Sequence, residues 1–134
     1  MSTSAWLGFI LTGGAVLEVS VGLGLLLAPA ALAEMLLRAP LDGTGLVIAR
    51  LAGGGLLAVG LACWSARRTP TTAAGLGVCR GFLAYNVVAC AVLIRAYPPL
   101  PGGLAALGAG ILHGVVATAL LAALYDPGRP NARP

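Results

Sequence analysis

Lysine is missing from this chain, and charge of either sign is scarce: Lys, Arg, Asp and Glu together make up 9% of its 134 residues. Soluble domains carry roughly 25%. A chain this short has no interior large enough to hide the apolar remainder, so a water-soluble globule is excluded and lipid is the expected solvent for most of it. Histidine occurs once, at His113, and acidic residues number four. A zinc site needs three or four ligands, so no metal is expected. Haem ligation by a single axial histidine has nothing else to support it. Cys63, Cys79 and Cys90 form no C-x-x-C pair. That removes the usual redox signature and leaves them as small, inert hydrophobes. The chain has no P-loop, no Ser-His-Asp arrangement and no dinucleotide fingerprint. It also lacks the series of alternating ten-residue segments that a membrane β-barrel would show. All eight basic residues are Arg. They sit at the ends of apolar runs rather than on one solvated face, so nucleic acid is not an expected partner.

What the chain does have is apolar length, with 59% hydrophobic residues and 20 Gly. A membrane-crossing helix needs roughly 20 apolar residues. Runs of that length fall at 5–28, 44–66, 73–96 and 103–125, followed by a polar tail at 126–134. The first run is not expected to be a secretory signal, because no basic residue precedes it, it is long for one, and Glu18 sits in its middle. Between Pro29 and Pro40, Leu32, Met35 and Leu36 share one helical face, and Glu34 and Arg38 are spaced as an i, i+4 pair. A short amphipathic helix lying in the interface is expected there. Leu41 to Gly45 carries turn chemistry, and Pro98, Pro99, Pro101 and Gly102 break the chain before the last run. The expected fold is all-α and integral to the membrane: one domain, a bundle of four transmembrane helices, with the interfacial helix between spans one and two. Gly77 with Gly81 and Gly110 with Gly114 form G-x-x-x-G pairs, which are expected to pack helices inside the bundle rather than to dimerise it.

Ionisable and amide side chains in hydrocarbon are costly, roughly 2.5–3.5 kcal/mol for a charge at the centre, and they usually turn toward the bundle interior. At about 1.5 Å of rise per residue, Glu18, Asn86 and His113 each lie about 14–15 Å from the same membrane face. Arg50 lies about 9 Å from that face, with a side chain long enough to reach deeper. Glu18, Arg50, Tyr85, Asn86 and His113 are therefore expected to form one intramembrane polar layer, either binding or structural. Pairing with Arg50 would let Glu18 stay ionised and accept hydrogen bonds from Asn86, Tyr85 or His113. Arg80 falls on the other side of the midplane. Trp64 reads as an interfacial anchor.

Four spans put both termini on one side, together with Arg67 and Arg68. The positive-inside rule makes that side cytoplasmic, and the expected home is a bacterial inner membrane. A glutamate in the first span also occurs in small multidrug transporters, but their aromatic-rich pattern is absent. The run Gly22-Leu23-Gly24-Leu25-Leu26-Leu27-Ala28-Pro29, the Arg50-Leu51-Ala52-Gly53 opening of span two, Cys63-Trp64, Tyr85-Asn86 and Leu112-His113 resemble small bacterial membrane proteins of the DoxX-like kind. In those a Trp-Pro pair often precedes the histidine, where this chain has Ala109-Gly110-Ile111. The resemblance implies a four-helix membrane bundle and no particular activity. Three functions fit the sequence. The first is a non-catalytic accessory or assembly subunit of a larger membrane complex. The second is a binder or transporter of an apolar small molecule, such as a lipid or quinone, or of a proton-coupled solute. The third is a small enzyme using Glu18 or His113 as an acid–base group. Expected partners are membrane lipids, a larger complex or another copy of the chain, and an apolar ligand.

Overall fold

The structure, a computed structural model, describes residues 2–96 and 104–125. Five helices follow in order: α1 (Thr3–Leu27), α2 (Pro29–Leu37), α3 (Gly43–Ala66), α4 (Ala73–Ala96) and α5 (Leu104–Leu124). Helices α1, α3, α4 and α5 are each long and apolar enough to cross a membrane. The proline-rich break, the first residue of the fourth expected span and the polar tail lie outside the described residues.

The helix ends follow from local chemistry. Ser2 caps α1 by accepting from the Ala5 amide at 3.3 Å, and Asp42 caps α3 by accepting from Gly45 at 2.6 Å. Such side chains satisfy amides that the helix itself leaves open. Pro29 cannot donate to the preceding turn, so it closes α1 and opens α2, where a missing N–H costs nothing. Arg38 ends α2 in the left-handed region at φ 48°. The link from Arg67 to Thr72 is folded tightly. Thr72 Oγ1 accepts from the Gly75 amide at 3.2 Å, Pro70 is fully buried, and a Cβ on Gly75 would meet the Thr69 carbonyl oxygen at 2.2 Å.

The four long helices form two tight antiparallel pairs, α1 with α3 and α4 with α5. Glycine makes the first pair possible. A Cβ on Gly22 would lie 2.8 Å from the Gly53 carbonyl oxygen, and one on Gly53 would lie 2.7 Å from the Gly22 carbonyl oxygen. Backbone therefore meets backbone at that crossing, which gains dispersion contacts when lipid offers no hydrophobic drive. In the second pair, Gly110 faces Ile94 and Leu93, and Gly114 faces Cys90. The two pairs are joined through side chains: Phe82 of α4 reaches across to Gly14 of α1. Leu7, Leu11, Cys63, Cys79, Phe82 and Leu120 belong to a core at the end that holds the Arg67–Thr72 link. Large residues such as Leu51, 79% exposed, point outward, as a lipid solvent requires.

Two expectations are corrected. Gly77 and Gly81 do not pack inside the bundle: both are exposed, with nothing within 4 Å of an added Cβ. The spacing is right for packing, but the α4 rotation that buries Cys79, Phe82 and Asn86 turns these two glycines out. The Glu34–Arg38 pair is not formed. Arg38 has left the helix, and what connects the two residues is a backbone bond from the Arg38 amide to the Glu34 carbonyl.

Candidate functional site

Four of the sequence-predicted polar residues, Glu18, Tyr85, Asn86 and His113, meet where α1, α4 and α5 converge. Helix α1 runs parallel to α4, so Gly14 faces Phe82 and, one turn on, Glu18 faces Tyr85. Tyr85 donates its hydroxyl proton to Glu18 Oε2 at 3.0 Å. Glu18 is 6% exposed and Asn86 1%, and these are the buried polar side chains among the described residues. Each has a partner, as burial demands.

Asn86 and His113 form the second half of the layer. Asn86 Nδ2 donates to the Phe82 carbonyl oxygen at 2.8 Å, back along its own helix. A carbonyl can only accept, so this bond fixes which amide atom is nitrogen. Asn86 Oδ1 therefore faces His113 Nδ1, 2.8 Å away, and can only accept from it. The proton sits on Nδ1, and in the neutral imidazole Nε2 carries a bare lone pair. The Tyr85 ring meets the imidazole edge-on, with centroids 5.5 Å apart, and stacks with Phe82 at 6.1 Å. His113 thus lies between Tyr85 and Asn86, neighbours on α4 that reach it from two sides. The chemistry available is one carboxyl held by one phenol, and one imidazole with a single open nitrogen. Glu18 and His113 are bridged by the Tyr85 side chain, which touches both.

Arg50 does not join this layer. It is exposed on α3 and forms no ion pair among the described residues, so the expected Glu18–Arg50 pair is absent. The register of α1 against α3 explains it. Gly60 lies against Val19 and Gly53 against Gly22, which places Glu18 near the level of residues 57–60, about two turns from Arg50. Arg80 is likewise exposed, on the outer face of α4 between Gly77 and Gly81. The isolated hydroxyls of the spans need no partner from another helix: Thr12, Ser20 and Thr118 each donate to the carbonyl four residues back on their own helix. Among the described residues no group of three or more His, Cys, Asp or Glu could hold a metal.

Sequence reasoning overlooked Phe82, whose carbonyl orients Asn86 and whose ring fills the gap at Gly14. The signal was present in its position, four residues before Asn86 on the same face. The chain matches no family model, no curated protein and no solved structure.

Proposed function

We propose that this protein is a non-catalytic accessory or assembly subunit that docks, through the outer face of α4, on a different membrane protein bearing an intramembrane carboxylate. The observation that carries this reading is Arg80, exposed between Gly77 and Gly81 and without an ion pair among the described residues. It lies about 10 Å inside its span. A charge at such depth is costly unless it pairs or reaches water, and open glycines on either side let a second helix approach closely. Arg50 repeats the pattern on α3, with Gly54 one turn on and nothing within 4 Å of a Cβ there.

The partner is a different protein because, among the described residues, a second copy has no suitable acid to offer. Glu18 is buried and taken by Tyr85, and the remaining described carboxylates, Glu34 and Asp42, lie beyond the opposite ends of the spans. The self-satisfied pairing of Glu18 favours a structural role for the layer. The DoxX-like resemblance, a bacterial inner-membrane location and cytoplasmic termini belong to the same proposal, supported by Arg67 and Arg68 at the end shared with the N-terminus. The test is gentle extraction from native membranes, followed by affinity capture. Wild type should bring down a membrane partner that Arg80→Gln and Gly81→Leu lose. Identical recovery with all three forms, or a lone protein from every preparation, would remove the reading.

A second reading rests on His113 Nε2. A half-buried imidazole nitrogen with a lone pair accepts a hydrogen bond from the hydroxyl of a lipid-soluble molecule such as a quinol. Binding of such a molecule that His113→Ala abolishes would favour it over the first.

A further inference from the structure

The end of the bundle that holds the α3–α4 link carries an open cleft of about 510 Å³ between the first turns of α1 and the end of α3. Its chemistry is two-part. Arg67, Arg68, Ser4 and Thr12 supply polar groups, and Phe9, 66% exposed, supplies an apolar wall pointing away from the core. Gly8 makes the cleft shallow and close, because its missing side chain lets α1 approach the Arg67 carbonyl oxygen, which a Cβ would meet at 2.6 Å.

Two further features place the cleft at a membrane–water boundary. Trp6, stacked on Phe9 with centroids 6.0 Å apart, and Trp64 are both partly exposed at this end, the depth at which tryptophans sit in bilayers. Arg67 is held rather than free: its guanidinium lies 3.5 Å over the Trp64 ring and donates to the Trp64 carbonyl. Its remaining N–H groups are therefore presented in a fixed direction at little further entropic cost. Among the described residues neither arginine has a carboxylate to neutralise it. Among the described residues the acids are Glu18, buried and engaged, and Glu34 and Asp42, both at the opposite end of the bundle.

From this we infer that the cleft is a site for an anionic phospholipid, its headgroup phosphate taken by Arg67 and Arg68 and its acyl chain lying along Phe9. Arginine donors in a planar fork match phosphate oxygens. The Ser4 hydroxyl adds a neutral donor, and Thr12, which already donates to the Gly8 carbonyl, lines the floor. The occupant is a lipid rather than free phosphate because the charged pair and the apolar wall share one cleft. A headgroup attached to a chain satisfies both halves, whereas an ion satisfies one.

The experiment uses the purified full chain in zwitterionic nanodiscs and titrates in phosphatidylglycerol against phosphatidylcholine. Thermal unfolding and native mass spectrometry of retained lipid are the readouts. Phosphatidylglycerol should stabilise the wild type and be retained in preference, by about fivefold for each arginine engaged. Arg68→Gln, at an exposed position, should lose about fivefold of that preference while unfolding normally in phosphatidylcholine. Phe9→Ser should weaken phosphatidylglycerol retention, and Arg95→Gln at the far end should leave it unchanged. Equal stabilisation by both lipids, or full preference in Arg68→Gln, would overturn the assignment. So would an equal shift from inorganic phosphate alone, because the apolar half would then contribute nothing.

Discussion

Tyr85 and Glu18 stand 67 positions apart in the chain and meet at 3.0 Å, the phenol donating to Oε2. The bond joins the α1–α3 pair to the α4–α5 pair at a level where backbones stay apart and side chains bridge the gap. It therefore acts as a tie between two halves that are otherwise built by glycine contacts. Removing the phenolic hydroxyl leaves a buried carboxyl without its donor, while changing the acid to its amide leaves an oxygen able to accept.

Tyr85→Phe should therefore destabilise the bundle more than Glu18→Gln does. Interhelical hydrogen bonds in membrane proteins average about 0.6 kcal/mol, reaching about 1.7, so the loss in Tyr85→Phe should fall near the upper figure. Unfolding in mixed micelles measures both variants. A Glu18→Gln loss equal to or larger than that of Tyr85→Phe would mean that the phenol does not hold the acid in this way.

The glycines divide into two classes that substitution to alanine separates. Gly22→Ala and Gly53→Ala each push a methyl group into a carbonyl oxygen of the facing helix, and overpacking of that kind costs about 1–3 kcal/mol. Gly77→Ala and Gly81→Ala meet nothing. In the isolated protein they should be neutral, or stabilising by about 0.5–1 kcal/mol through helix propensity. Unfolding curves that rank the four alike would contradict the packing described.

His113 should carry its neutral-form proton on Nδ1. Nitrogen-15 NMR of labelled protein reads this directly, as a one-bond proton coupling at Nδ1 and none at Nε2. A proton found on Nε2 instead would mean that Asn86 presents its other face, which the bond to the Phe82 carbonyl forbids. His113→Ala should cost about 1–3 kcal/mol, because Asn86 Oδ1 then loses its donor while buried.

Arg80→Leu gives a result that a structural arginine would not. With the partner absent, removing a lipid-facing charge should leave the bundle's stability unchanged or raise it. Recovery of the partner should fall sharply. Thermal unfolding of the lone protein and quantitative co-purification, run on the same variant, separate the two effects. A marked loss of stability in the lone protein would place Arg80 among the residues that hold this chain together.

Much of the fold was legible before any coordinate. The four runs, the Pro29 break and the turn before α3 follow from length, hydropathy and capping, which act locally and leave their mark in consecutive residues. The depth of Glu18, Asn86 and His113 was legible too, because helical rise converts position into height. Rotation was not. Apolar residues surround each span, so hydropathy does not tell an inward face from a lipid-facing one. Arg50 and Glu18 looked like partners on height alone, and Gly77 with Gly81 looked like a packing motif on spacing alone.

The sequence by itself determined that this chain lives in hydrocarbon as four helices, with a few polar groups that must find one another. Those outcomes depend on the cost of exposing backbone and charge to lipid, and that cost is fixed residue by residue. Only the tertiary structure decided who pairs with whom: Glu18 with Tyr85, His113 with Asn86, Arg50 and Arg80 turned outward. Those choices depend on how α1 crosses α3 at Gly22 and Gly53 and on how α4 is rotated to seat Phe82 against Gly14. They are set by close contacts between segments distant in the chain, which no single run of residues encodes.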